Sequence, residues 1–249
     1  MLEEESSASK QGKEDIIKEL LQELPSDSAI EVELPSECRV YKLKDPDGPI
    51  TIRPMTFEDE KNMLGSKEGE DPINIILSKC TTNLNVLDLL TLDKVYLVMK
   101  LREISYGDEY NTLLICRSCK AENPTTIKLS QLNINPVPDD FEDPTEVFLP
   151  GIKKTAKIKF PRVRDEKLLS DPADLMDKLW KFIEQIDEHK DKSVIAAVLQ
   201  QLPLKDARTI LNAMRTEFGV DTKVKFNCSN CQEVSVVELP IDANFFDVS

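Results

Sequence analysis

Apolar residues recur at helical spacing near the start of the chain, in a stripe formed by Ile16, Ile17, Leu20, Leu21 and Leu24. This spacing predicts a short amphipathic helix that ends before Pro25. Residues 1–12 are mostly polar, a composition typical of disorder. We assign residues 1–34 to an N-terminal extension. Its helix either packs on its own domain or docks into a groove on a partner.

The same periodicity predicts five further helices, over residues 71–80, 91–105, 171–186, 193–202 and 204–219. Two of them start with an Asp-Pro pair, in which the carboxylate caps the helix and proline occupies its first turn. Thr91 is the expected cap of another, and Gly107 lies just beyond the end of that helix. Leu175, Met176, Leu179, Trp180, Ile183 and Ile186 form the expected apolar face of the 171–186 helix.

Alternating and β-branched segments predict strands between these helices. Residues 38–43 and 48–54 flank the turn sequence KDPDG and are expected to form a hairpin. Residues 146–161 predict a second hairpin with a Pro-Gly turn. Two other strand pairs, within residues 110–129 and 222–240, each enclose a C-x2-C motif. The pattern therefore predicts an α+β fold.

The order of these elements repeats along the chain. A shift of 112 positions places Cys116 on Cys228 and Cys119 on Cys231, and it also aligns Gly107 with Gly219. We therefore expect two tandem related repeats, residues 35–135 and 143–249, each with a β-hairpin, helices and a strand–knuckle–strand unit. The alignment weakens in the hairpins.

Composition narrows the function classes. The 249 residues carry a formal charge of −14, which disfavours nucleic-acid binding. The densest basic stretch, residues 153–164, is interpreted as the solvated edge of a strand. No apolar run approaches the roughly 18 residues of a membrane span, and the polar start is unlike a secretory signal. We expect a cytoplasmic environment in which thiols stay reduced. His189 is the single histidine, and no catalytic residue is predicted.

The two C-x2-C motifs carry the candidate chemistry. Each supplies two sulfurs, whereas a structural zinc ion takes four ligands in a tetrahedron. We expect Cys116, Cys119, Cys228 and Cys231 to bind one structural zinc per chain, between the repeats. Knuckles that have lost their metal, disulfides, or a second chain completing each pair are the alternatives. The strand after each pair disfavours a thioredoxin-like role.

The C-terminal sequence FNCSNCQEVSVVELPIDANFF carries a family resemblance, through Cys228, Cys231, the strand 234–239 and the closing Phe245-Phe246. It is similar to the tail of the T4-like phage family of baseplate hub and central-spike assembly proteins. This resemblance implies a non-enzymatic protein of a contractile phage tail, bound to other hub subunits in a symmetric baseplate, where it could be oligomeric. Assembly in the host cytoplasm and a place in the virion are implied too.

Two further function classes compete with this interpretation. A zinc-ribbon adaptor of the transcription or translation machinery would need a basic or aromatic face, and a baseplate-associated hydrolase would need two carboxyls across a cleft. For the baseplate interpretation, the residue 16–24 stripe and Phe245-Phe246 are the candidate partner contacts. The phenylalanines could instead seal the edge of their own domain.

Overall fold

The computed structural model describes residues 29–67, 69–215, 218–239, 241 and 243–246, together with the single positions 16 and 19. The chain divides into two compact units, residues 1–30 and residues 31–249. Within the described residues the second unit is mixed α+β, as expected, with seven α-helices and small antiparallel sheets. No helix in that part of the chain combines the length and apolar composition that a bilayer span requires.

The helices are short apart from one. They are α1 (Phe57–Leu64), α2 (Pro72–Cys80), α3 (Thr91–Tyr106), α4 (Glu166–Ser170), α5 (Pro172–Lys178), α6 (Lys192–Leu199) and α7 (Leu204–Ala213). The 3-10 turns are Val86–Asp88, Leu129–Gln131, Val163–Asp165, Leu179–Phe182 and Ala243–Phe246.

The strands are β1 (Ile30–Glu31), β2 (Thr51–Ile52), β3 (Glu109–Ile115), β4 (Glu122–Lys128), β5 (Ile134–Asn135), β6 (Thr145–Leu149), β7 (Lys154–Ile158), β8 (Ile183–Ile186), β9 (Gly219–Val220), β10 (Lys223–Asn227) and β11 (Val234–Glu238). Strands β3–β4 and β10–β11 form separate hairpins, and β5 pairs with β9. Strands β6, β7 and β8 form an antiparallel sheet of three strands.

The long helix α3 anchors the larger core. Its Leu97, Val98 and Leu101 are at most 1% exposed, and they pack with α2, the β3–β4 hairpin and the C-terminal segment. Leu90 is the N-cap, so Thr91 is the first helical residue rather than the predicted cap. The helix ends at Gly107, whose φ of +94° lies in the region that favours glycine.

A second core lies between the β6–β7–β8 sheet and the helices α5 to α7. The helix predicted over 171–186 is wrong in its second half. After α5 the chain forms the 3-10 turn Leu179–Phe182 and then β8, whose Ile183 and Ile186 pair with β7 and are buried. Tertiary pairing with an open strand edge outweighs the helical spacing here.

The first predicted hairpin is also absent from the described structure. Residues 35–40 form consecutive turns, because Glu37 and Cys38 have φ values of +52° and +58° and so cannot continue a strand. Only β2 forms from the predicted hairpin. Its neighbour is the segment next to β1, where Val32 N donates to the Ile50 carbonyl at 2.9 Å. The second predicted hairpin is confirmed as β6–β7.

Candidate metal centre

The β3–β4 hairpin directs Cys116 inwards. Its strands alternate in burial, with Tyr110 and Leu114 buried between exposed neighbours. At the turn, Cys116 N donates to the Ala121 carbonyl and Lys120 N to the Cys116 carbonyl, both at 3.0 Å. Lys120 has a φ of +62°, which reverses the chain within the knuckle.

The β10–β11 hairpin has the same turn. Cys228 N donates to the Glu233 carbonyl at 2.9 Å, and Gln232 N donates to the Cys228 carbonyl at 3.0 Å. Gln232 has a φ of +62°, equal to that of Lys120 in the first knuckle. Both C-x2-C motifs therefore hold their first cysteine at a strand end and their second in the turn, with the same backbone bonds.

The structure brings the four predicted cysteine sulfurs together. All four Sγ atoms lie within 4.8 Å of one another. The closest contacts cross between the hairpins, at 3.7 Å for Cys116–Cys231 and 3.6 Å for Cys119–Cys228. Zinc–sulfur bonds of about 2.3 Å place sulfurs about 3.8 Å apart in a tetrahedron, so this spacing suits the metal. All four cysteines are free, because disulfide sulfurs lie about 2 Å apart.

Two buried polar side chains link each hairpin to a sulfur of the other. Ser235 Oγ lies 3.5 Å from Cys116 Sγ, and the Asn123 amide nitrogen lies 3.7 Å from Cys228 Sγ. The oxygen of that amide accepts from the Ser229 N–H at 2.8 Å and the Ser229 hydroxyl at 2.9 Å. Asn123 therefore ties the first hairpin to the turn of the second.

The electrostatics of the cluster favour a cation. The Ser235 hydroxyl and then the Cys119 and Ser118 N–H groups lower the pKa of Cys116 to about 6. The Cys231 N–H is the main cause of the lowered pKa of Cys228. The Glu233 N–H also lowers the pKa of Cys231, but the surrounding sulfurs and desolvation outweigh it and raise this pKa to about 12. Cys116 and Cys228 therefore form thiolates readily. Cys231 forms a thiolate only if a positive charge offsets the negative charge of the neighbouring sulfurs.

Four thiolates are a closed ligand set. They satisfy zinc without leaving a position for water or substrate, which is the arrangement of structural rather than catalytic sites. The chemistry that this cluster can supply is a cross-link between the two hairpins.

Sequence reasoning missed Asn123 and Ser235. Each lies seven positions after the first cysteine of its motif, so the repeat of 112 positions that aligns the cysteines also aligns these two residues. Their common position in the repeat could have identified them. Asparagine and serine are common near turns, however, so the sequence alone does not single them out.

The predicted partner contacts at the C-terminus are contradicted. Phe245 and Phe246 are 0% and 1% exposed, so neither ring has surface to offer a partner. The Phe245 ring packs on Tyr110 with centroids 4.7 Å apart, and the Arg102 guanidinium lies 5.7 Å from its centre. Both rings seal the larger core, as in the alternative interpretation.

The N-terminal stripe lies almost wholly outside the described residues. Ile16 is in helical conformation and 57% exposed. The other four positions, Ile17, Leu20, Leu21 and Leu24, are not among those that the structure describes.

The densest basic stretch of the sequence is neutralised. Five of its six cations form ion pairs, namely Lys154–Asp187, Lys157–Glu146, Lys159–Glu184, Arg162–Asp143 and Arg164–Asp88. These contacts leave little free positive charge for a phosphate backbone.

Neither the curated proteins nor the solved structures gave a match to the sequence. A family model described as T4 bacteriophage base plate protein matches residues 37–247, which include both cysteine pairs and most of the chain. The chain therefore belongs to the T4 bacteriophage base plate protein family.

Proposed function

We propose that this chain is a non-enzymatic structural or assembly protein of the hub region of a contractile-tail baseplate, stabilised by one zinc ion. The observation that carries the proposal is the convergence of four sulfurs from two distant hairpins in a chain of the baseplate family. Cys116, Cys119, Cys228 and Cys231 hold the metal. Its binding energy joins the two hairpins, which share no backbone ladder with each other.

An internal duplication would explain this geometry. A shift of 112 positions relates the two knuckles with their backbone bonds, as well as Asn123 and Ser235. It also relates Gly107 and Gly219, whose φ values are +94° and +96°. The close contacts Cys116–Cys231 and Cys119–Cys228 exchange under the same shift, which supports an approximate twofold axis through the cluster. Residues 35–54 do not form a hairpin like that of residues 145–158, so the proposal covers only the later part of each repeat.

The metal-joined hairpins would give the baseplate a stiff element that other hub subunits contact. The chain acts through protein–protein contacts, first in the host cytoplasm during assembly and then in the tail of the virion, with symmetry-related copies in one baseplate. The neutralised basic stretch supports a role without nucleic acid.

Metal analysis tests the zinc part of this proposal. Protein purified in reducing buffer is expected to contain about one zinc per chain. Cys116→Ser and Cys228→Ser are expected to lose the metal and to lower the free energy of unfolding by similar amounts, more than about 2 kcal/mol each, since either change breaks the same site. Cys38→Ser is the matched control, because Cys38 lies outside the cluster.

A metal content far below one per chain, or a large inequality between the two cluster variants, would contradict the shared site. The baseplate role has its own test. A phage whose gene for this chain carries an early stop codon is expected to accumulate tails that lack complete baseplates, and wild-type protein supplied in trans should restore them. Normal tails without the protein would refute the structural role.

A further inference from the structure

A groove of about 710 Å³ lies where the second core meets the base of the β10–β11 hairpin. Its apolar lining includes the half-buried Leu169, Leu175 and Leu211. Two exposed cations, Arg215 and Lys223, and one carboxylate, Glu238, stand at its rim. A concave apolar surface with a few charged groups is typical of a binding site.

The helix α7 extends this groove along the surface. Leu204, Arg208 and Leu211 recur at helical spacing and share one face of α7, and Arg215 follows two residues after the helix ends. Leu204 is 62% exposed, although it is a leucine on the surface of a charged protein. The face therefore alternates apolar and cationic side chains and leads into the groove.

The cations on α7 and at the groove rim are unpaired within the described residues, unlike those of residues 154–164. Lys205, Arg208, Arg215 and Lys223 form no ion pair with any carboxylate in the described part of the chain. The protein has 46 acidic and 32 basic residues. Two unpaired cations at the groove rim and two more on α7 therefore contrast with the overall negative charge.

We propose that the groove and the α7 face bind an acidic amphipathic helix of another baseplate subunit, an identification that rests on the proposed function. Leucine-type side chains of the partner fill the apolar lining, and its carboxylates pair with Arg208 and Arg215. Nucleic acid fits less well, because a phosphate backbone has no apolar face to bury against Leu204 and Leu211.

Fluorescence anisotropy of the full chain tests this proposal. The probe is a labelled helical peptide with leucines on one face and glutamates on the other, and the comparison probes are the same peptide with lysines and a short DNA duplex. The glutamate peptide is expected to bind. The double variant Arg208→Glu, Arg215→Glu should weaken its binding by at least about tenfold, and Leu204→Ser by about fivefold. The variant Lys181→Glu, Lys190→Glu makes the same charge change at exposed positions outside the groove and should stay within about twofold.

Failure of the glutamate peptide to bind, equal binding of the lysine peptide, tighter binding of the duplex, or unchanged affinity in the Arg208 and Arg215 variant would each overturn the proposal. Circular dichroism of every variant confirms that the fold is kept, which the exposure of the substituted residues favours. The zinc content is measured on the same samples. Since none of these residues belongs to the cysteine cluster, a failed peptide test leaves the metal model standing, and the reverse also holds.

Discussion

Replacing Asn123 by leucine is expected to weaken the link between the two hairpins while keeping most of the side-chain volume. Asn123 is 5% exposed and makes three contacts to the second hairpin, to Ser229 N at 2.8 Å, Ser229 Oγ at 2.9 Å and Cys228 Sγ at 3.7 Å. Its amide also donates to the Ala121 carbonyl at 2.9 Å within its own hairpin. The side chain thus links the two halves of the cluster directly.

The magnitude follows from these contacts. Each neutral hydrogen bond contributes about 1 kcal/mol net, and the weaker contact to sulfur adds less. Ser229 is exposed, so water can replace part of what it loses. We expect Asn123→Leu to lower the free energy of unfolding by about 2–3 kcal/mol, measured in urea with and without added zinc. It should also speed the release of zinc to a chromogenic chelator.

Two further variants separate the hydrogen bonds from other effects. Asn123→Asp keeps the acceptor for Ser229 but places a carboxylate beside the Cys228 sulfur, so it should weaken zinc binding more than leucine does. Asn111→Ala removes an exposed bond to Thr126 in the same hairpin and should change stability by no more than about 0.5 kcal/mol. Unfolding and zinc release in Asn123→Leu that match those of the wild-type protein would refute the role assigned to this amide.

Three other predictions concern the rest of the fold. Phe245→Ala empties the centre of the larger core and should cost about 3–5 kcal/mol in urea unfolding, whereas Phe57→Ala, at a ring that is 82% exposed, should change it by about 0.5 kcal/mol at most. Gly107→Ala and Gly219→Ala both place a side chain on a residue with positive φ, which should lower the free energy of unfolding by about 1–3 kcal/mol. Only at Gly219 would the new Cβ also lie 3.1 Å from Leu92, so Gly219→Ala should have the lower melting temperature. A hydrogen bond from Arg53 lowers the pKa of Asp59 from 3.8 to about 2. Because solvent reaches Arg53 and screens the pair, the ionised form adds about 1 kcal/mol above pH 4, which is lost as the pH falls through 2. The stability difference between wild type and Asp59→Asn should shrink over that window, and a constant difference would contradict the linkage.

Local patterns in the sequence were sufficient for several elements. The Asp71-Pro72 pair starts α2 as predicted, with the Asp71 carboxylate accepting from Ile73 N at 2.9 Å. Gly107 ends α3 because only glycine adopts its backbone angles without strain. The C-x2-C spacing identified the four cysteines as one donor set, since two such motifs supply the four sulfurs that a structural zinc ion takes. These features depend on residues close together in the chain.

Other features depended on neighbours that are distant in sequence. Residues 183–186 have helical spacing, yet they form β8 because β7 offers an open edge and burial in the second core. In the sequence, Phe245 and Phe246 are candidates for a terminal docking element. In the fold, their rings pack against those of Tyr110 and Tyr106. In the sequence, the cations of residues 153–164 and those of α7 look equally available to a partner. The fold distinguishes them, because it places carboxylates beside the cations of residues 153–164.

The sequence by itself determined the donor set of the cluster and the local signals that begin and end its helices, because thiol chemistry, capping and backbone freedom are properties of single residues and their nearest neighbours. The tertiary structure decided which sulfurs approach one another, which rings are buried and which charges stay unpaired. Those outcomes depend on contacts that the local sequence does not specify, and Asn123 and Ser229, for example, lie 106 positions apart. Packing, hydrogen bonding and charge in the folded chain together select such contacts.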